Sequence, residues 1–298
     1  MASNTYFKHL PKSDKKAAKI LVTPAIIGIW IVVFFPLMYA LYVSVHDWIL
    51  SQGGMGALNF GNYLNVLKDP QLLNASKNTI IITAAVVILE IVIGFGLALL
   101  LNNKKTKLRH LYLFILLIPM LMPPITVGLI WRLLLHPDLG IVNYMLGILS
   151  LPQPQWLANS TLAMVTIILV DIWHETSFIV LILLAGLTSL PDEIYEAARI
   201  DGASPRLALL YITIPLMMPT ILVATIIRMI AAFKTYDLVY ILTRGGPGVA
   251  TETISYYIYK VAFVALDMGR SSAMAFILLG VIVLMTFLLM RVMQKVEQ

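Results

Sequence analysis

The sequence predicts an all-α membrane protein with about six transmembrane helices, and three observations carry that prediction. The 298 residues are 60% hydrophobic and only 12% charged, so lipid is the expected solvent. About six apolar stretches are each roughly 20 residues or longer, enough to cross ~30 Å of hydrocarbon. The basic residues gather beside the ends of these stretches, so the net charge of +6 reads as membrane orientation and not as nucleic-acid binding. Cysteine is absent, which excludes a disulfide framework and a thiolate metal site and leaves the redox compartment unread.

Residues 1–20 form a basic tail, and 21–298 read as one membrane domain without internal repeats or low-complexity stretches. The first apolar run is too long for a signal peptide and lacks a small-x-small cleavage site, so it is kept as the first span. Spans are expected near 21–45, 79–101, 111–135, 162–187, 211–233 and 272–292. With the N-terminus inside, 13 of the 21 Lys and Arg fall in short inside segments: Lys8, Lys12, Lys15, Lys16, Lys19, Lys104, Lys105, Lys107, Arg109, Arg199, Arg206, Arg291 and Lys295. Both termini are then cytoplasmic.

Between the first two spans, 46–78 is expected outside. There Phe60-Gly61-Asn62-Tyr63 and Asp69-Pro70 read as turn chemistry, and Asn78-Thr79 enters the second span. Asn74-Ala75-Ser76 and Asn159-Ser160-Thr161 fit glycosylation sequons and read as chance matches. Glu90 stands isolated in the second span and reads as structural. In the third span, Pro119, Pro123 and Pro124 each remove a backbone hydrogen bond that a neighbour or water must replace. Either a kinked, cavity-lining helix or a helix bent against its neighbours follows. Residues 136–160, with Pro137, Pro152 and Pro154, read as irregular or interfacial, with Trp156 at headgroup level.

The fourth span holds Asp171, His174 and Glu175 at i, i+3 and i+4, on one helix face beside Trp173. Ionisable groups at that depth must face protein, water or a polar ligand. Two readings stand: a structural network with Arg228 of the fifth span as its cation, or a substrate-facing site. One His with two carboxylates is a weak metal set.

Between the fourth and fifth spans, 191–210 reads PDEIYEAARIDGASPRLALL. Pro191 suits the opening of a short helix, and Asp192 and Glu193 favour the positive end of its dipole. Ile194, Tyr195 and Ala198 share a face and Glu196 looks elsewhere. Gly202 stops the helix at φ > 0, and Ser204-Pro205 is an N-cap and N1 pair that starts the next helix. A short helix parallel to the membrane results, which a separate protein with a cleft can grip.

Glu196-Ala197-Ala198, Asp201-Gly202-Ala203, Ile212, Pro215 and Pro219 together resemble the EAA loop of permease subunits of binding-protein-dependent ABC importers. Phe233-Lys234-Thr235-Tyr236-Asp237, then Leu242-Thr243-Arg244-Gly245-Gly246-Pro247 and Thr251-Glu252-Thr253, resemble the external signature of sugar permeases of the maltose and glycerol-3-phosphate type, carbohydrate uptake transporter family 1. Tyr236 replaces the family's second Phe. After this turn, 251–265 reads as an amphipathic segment on the outer surface. The resemblance runs from about residue 20 to the C-terminus.

That resemblance implies the type I ABC importer permease fold in a bacterial cytoplasmic (inner) membrane. It implies as partners a second homologous permease subunit (a heterodimer in preference to a homodimer), two ATP-binding subunits and an extracytoplasmic solute-binding protein, with membrane lipid around them and no nucleic acid. ATPase coupling would run through Glu196, Ala197, Ala198, Asp201 and Gly202. The substrate path would use Asp171, Trp173, His174 and Glu175 on one helix and Phe233, Lys234, Tyr236 and Asp237 on another. The chain has no G-x-x-x-x-G-K-[ST] and no Gly-Lys pair, so ATP and Mg are expected on the partner subunits, with no cofactor and no catalysis here. Two other readings remain: an ion-coupled secondary carrier using Glu90, Asp171 and Glu175, or a membrane enzyme using Asp171, His174 and Glu175 in acid–base work. The lack of repeated halves counts against the carrier.

Overall fold

The structure, a computed structural model, describes residues 12–103 and 107–296. Lys8, Lys104 and Lys105 of the basic set lie outside them. Among the described residues every regular element is a helix, and strand-like pairing is limited to isolated bridges between His46 and Leu58 and between Ile49 and Asp267. Five helices are long and apolar enough to cross a membrane, and a bent pair brings the number of spans up to six. The expected all-α class is what folds. The chain divides into two compact units, one from the chain up to Val66 with Val261–Phe276, the other from Leu67–Lys260 with the chain after Ile277.

In the first unit, α1 (Lys12–Ile29), a π-helical turn (Trp30–Phe34) and α2 (Phe35–Ser44) make the first span, which leaves its apolar window entirely exposed. α3 (Gly61–Leu67) follows. The Phe60–Tyr63 motif has a specific use here. Asn62 Nδ2 donates to the Ser44 and His46 carbonyls at 3.1 and 3.0 Å, and Tyr63 bonds Ser44 Oγ at 2.8 Å, closing the end of α2 where helical donors run out. A Cβ on Gly269 would lie 2.3 Å from the His46 carbonyl oxygen, so only glycine fits against this corner.

The second unit is built on α4 (Pro70–Asn102), which Asp69 caps through the Gln71 N–H. α5 (Arg109–Leu117), a 3-10 turn (Pro119–Leu121) and α6 (Pro124–Leu134) form the bent pair. α7 (Ile141–Ile148) lies in the stretch expected to be irregular. α8 (Ser160–Thr188) is capped by Asn159 Oδ1, which accepts from the Thr161 and Leu162 N–H groups. α9 (Asp192–Ile200), α10 (Pro205–Ala208), α11 (Ile214–Phe233), α12 (Asp237–Leu242), α13 (Ile254–Tyr259) and α14 (Met268–Val296) complete the chain, with α10 running into α11 through a π-helical turn.

α8 is the most buried span, its apolar residues packed on neighbouring helices and its few polar residues turned to partners inside the protein. Its neighbours are α4 and α11, with Ala98, Ile179, Leu183, Met217 and Ala224 in the shared core. Lipid gives no hydrophobic drive between helices, so close packing holds them, and small residues permit it. A Cβ at Gly94 would lie 2.7 Å from Ile179 Cγ2, and one at Gly186 2.8 Å from Thr220 Cγ2.

Several expectations need correction. The second span begins at Pro70 and not near 79, because the polar Asn74 and Asn78 look like loop yet sit in the helix and bond another segment. The stretch 136–160 contains α7, organised by Asn143, whose Nδ2 bonds the Pro137 and Pro154 carbonyls and whose Oδ1 accepts from Trp156 Nε1 at 2.8 Å. The segment 251–265 does not lie free on a surface: Thr251, Glu252, Thr253, Ile254, Tyr256 and Tyr257 are buried. Ile194 is exposed and does not share the covered face of α9 with Tyr195 and Ala198.

Candidate functional site

α9 is set up as the sequence suggested. Asp192 and Glu193 occupy its first turn and Arg199 its last, each on the favourable end of the helix dipole. Gly202 takes φ +79°, with its N–H on the Arg199 carbonyl and the Ala203 N–H on the Ala198 carbonyl, a Schellman stop. Ser204 Oγ then accepts from the Leu207 N–H to start α10. Tyr195 Oη bonds Thr213 Oγ1 at 3.0 Å, which tethers α9 to the start of the fifth span. A groove of about 1060 Å³, lined among others by Leu99, Asn102, Leu187, Tyr195, Ala198 and Ala203, runs along that side. Glu196, Ala197, Asp201 and Gly202 are exposed and Ala198 is half-buried. Ile200, one turn beyond Glu196, is 87% exposed, unusual for so apolar a side chain.

The polar face of α8 divides into two parts. Asp171 joins a buried ion triad. Arg228 Nε donates to Glu90 Oε2 at 2.5 Å, and Arg228 Nη2 donates to Glu90 Oε1 at 3.0 Å and Asp171 Oδ2 at 2.5 Å. All three residues are at most 4% exposed, so α4, α8 and α11 are cross-linked at one point. Glu90 is therefore not isolated. Its structural reading stands, with Arg228 as the partner that sequence spacing alone does not reveal.

His174 and Glu175 belong to the proline break. α5 and α6 meet at 96°, and the Pro119–Pro124 stretch between them interrupts the helical ladder. α8 repairs it. His174 Nε2 lies 3.0 Å from the Met122 carbonyl, and Ser177 Oγ donates to the Leu116 carbonyl. His174 Nδ1 lies 3.1 Å from Glu175 Oε1, and the Glu175 side chain is 29% exposed. Trp173 is exposed on one side, with Trp131 edge-on to it at 5.5 Å between ring centroids.

On the other helix, Phe233 is buried, so its ring is not on offer, whereas Lys234 is exposed and Tyr236 and Asp237 are half-buried. The Gly245-Gly246-Pro247 signature is clamped from several sides. Asn74 and Asn78 Nδ2 both donate to the Val249 carbonyl, Asn78 also to that of Glu252, and Thr79 Oγ1 accepts from the Ile254 N–H. Thr251 Oγ1 bonds Thr243 Oγ1 and the Gly246 carbonyl, Thr253 Oγ1 donates to the Thr235 carbonyl, and Tyr257 Oη donates to Asp69 Oδ2 at 2.6 Å. Sequence reasoning missed this role of Asn74, Asn78 and Thr79, though two amides one helical turn apart, with a hydroxyl next to them, just ahead of a long apolar run were the available signal.

Fold and site define a multi-pass helical membrane protein with a short exposed helix between its fourth and fifth spans. Residues 90–298 match the family described as binding-protein-dependent transport system inner membrane component, and the chain belongs to that family. It is 34% identical to the sulfoquinovosyl glycerol transport system permease protein SmoG of Agrobacterium fabrum, over 96% of this chain and 92% of that protein. It is 31% identical to the trehalose/maltose transport system permease protein MalF of Thermococcus litoralis, over 97% of each. A solved bacterial ABC transporter involved in import of the acidic polysaccharide alginate shares its fold, with a TM-score of 0.84 at 22% identity, covering 96% of this chain and 98% of that one.

Proposed function

We propose that this chain is the membrane-spanning permease subunit of an ATP-driven importer that carries a sugar, oligosaccharide or related polar solute across the bacterial cytoplasmic membrane. The family match carries the reading, and the relatives that transport trehalose, maltose and sulfoquinovosyl glycerol support its carbohydrate part. A second related permease completes the pore, a solute-binding protein delivers substrate outside, and two ATP-binding subunits carrying ATP and Mg grip α9 from the cytoplasm. Their closure moves α9, and the tether at Tyr195 and Thr213 passes the movement to the fifth span, switching the spans between two access states.

The site gives the other readings little support. Glu90 and Asp171 are buried against Arg228, whereas relay or acid–base carboxylates must exchange protons with water or substrate. The test is uptake of radiolabelled maltose, trehalose and sulfoquinovosyl glycerol by proteoliposomes holding the full complex. ATP-dependent uptake without an ion gradient is expected; uptake that needs a gradient favours the carrier, and chemically altered solute favours the enzyme.

Two variants probe the coupling. Glu196 is exposed, so Glu196→Ala should fold and assemble normally yet hydrolyse ATP without moving solute. Unchanged uptake would remove Glu196 from the coupling machinery. At Gly202 no atom lies within 4 Å of the place a Cβ would take, so Gly202→Val meets only the backbone cost of φ +79°, about 1–2 kcal/mol. The variant should co-purify with less ATP-binding subunit than wild type. Normal stoichiometry with normal uptake would show the stop to be dispensable.

A further inference from the structure

Between α12 and α13 the chain assembles four tyrosines, Tyr236, Tyr240, Tyr256 and Tyr259, and every pair among them is in ring contact, with centroids 5.2 to 6.3 Å apart. The spacing explains how. Tyr236 and Tyr240 are one turn apart at the start of α12, Tyr256 and Tyr259 one turn apart on α13, so each short helix presents two rings to the other. Gly245 sets the approach: at φ +80° it carries no Cβ, and one would lie 2.8 Å from Tyr256 Cε1 and 3.3 Å from Glu252 Cβ.

Packing alone does not account for phenols here. Leucine or phenylalanine would hold two helices together without bringing four hydroxyls that need partners. Tyr236, Tyr240 and Tyr259 are half-buried, so part of the cluster's surface stays open, and the Tyr236 and Tyr259 hydroxyls hydrogen-bond each other. Burial, then the neighbouring Tyr259 and Tyr240, push the Tyr236 phenol up to about 12, so it stays a neutral hydrogen-bond donor at physiological pH. The neighbouring charges are of both signs. Burial, then Glu252, push the Tyr256 phenol up against the opposing Arg244, Asp237 acts on the Tyr236 phenol, and Lys260 holds Glu252 at 2.7 Å, so ring surface and not net charge is what the cluster offers a solute.

We propose that these four tyrosines form a stacking platform for the pyranose rings of an oligosaccharide, placed where solute enters the transport path beside Tyr236 and Asp237. Pyranose C–H faces lie on the half-exposed rings, and the sugar hydroxyls bond the phenol oxygens. The platform rests on the carbohydrate reading above.

The test measures uptake by the full complex in proteoliposomes, using whichever of maltose, trehalose or sulfoquinovosyl glycerol the wild type carries. The double variants Tyr240→Leu/Tyr259→Leu and Tyr240→Phe/Tyr259→Phe are compared, because leucine keeps apolar bulk and phenylalanine keeps the ring. The leucine variant should raise the KM for uptake roughly tenfold, as expected for two lost ring contacts, with ATP hydrolysis and complex yield unchanged; the phenylalanine variant should restore most of the difference. Unchanged KM in the leucine variant overturns the platform while leaving the importer reading intact. So does loss of assembly in the leucine variant with wild-type KM in the single Tyr259→Leu variant, because the rings are then only a structural joint. A wild type that carries none of the three solutes defeats the carbohydrate reading and the platform with it.

Discussion

Arg228→Met should nearly eliminate the folded permease from the membrane, because it strands two carboxylates in the interior. Glu90 and Asp171 are at most 4% exposed and have Arg228 as their shared cation, which spends two of its nitrogens to hold both. Removing one member of a buried ion pair costs about 3–5 kcal/mol, since the remaining charge keeps its desolvation penalty and loses its compensation. Stability of a domain is of that order, so the effect should be visible as lost yield. Arg228→Lys should fall between wild type and Met, because a single ammonium cannot reproduce the planar fork that bonds both Glu90 oxygens. The control is the triple variant Glu90→Gln/Asp171→Asn/Arg228→Met, which removes every charge. Replacing a buried ionic cluster entirely is far milder than breaking it, so the triple should recover much of the yield that the single loses. Size-exclusion profiles of detergent-solubilised permease and its thermal midpoint read both outcomes. A well-folded Arg228→Met protein would mean that the triad does not hold the three spans together.

This triad also marks where the sequence stops being readable. The class, the existence of about six spans and the short helix at 192–200 follow from local properties: apolar length, capping residues, and a glycine that only a left-handed stop requires. The structure returns them, Gly202 included, at φ +79°. Long-range pairings are different in kind. Glu90 and Arg228 are 138 positions apart, and Asn78 clamps a carbonyl 171 positions later. Neither partner's local pattern encodes the other, so Glu90 reads as solitary and the stretch up to Asn78 reads as loop. Proline chemistry stood in between. The sequence required something to bond the carbonyls around Pro119–Pro124, and only the fold identifies His174 and Ser177 as the groups that do it. The polar face at 171–175 was legible as a face. Its division into a buried charge cross-link and a partly open His–Glu pair was not, because the division depends on which helices pack against α8.

That division separates two neighbouring carboxylates by experiment. Glu175→Gln should lower solute uptake by roughly ten- to a hundredfold in a complex that assembles normally, whereas Asp171→Asn should leave uptake near wild type. The Glu175 side chain is 29% exposed and shares one oxygen with His174, so on the proposed substrate path the carboxylate can still accept from a solute hydroxyl. A hydrogen bond from a solute hydroxyl to an ionised group contributes about 1.5–3 kcal/mol, which corresponds to that loss. Asp171 has no such access. Its oxygen accepts from Arg228 Nη2, a bond that the amide oxygen of asparagine can still accept, and removing its charge leaves Glu90 and Arg228 as a matched pair. Uptake rates normalised to the amount of assembled complex are the measurement, with binding-protein-stimulated ATP hydrolysis as the check on assembly. Normal uptake in Glu175→Gln would take that residue off the substrate path. Loss of uptake in Asp171→Asn with normal assembly would place Asp171 on the path after all, because a buried cross-link that survives the substitution has no other way to reach the solute.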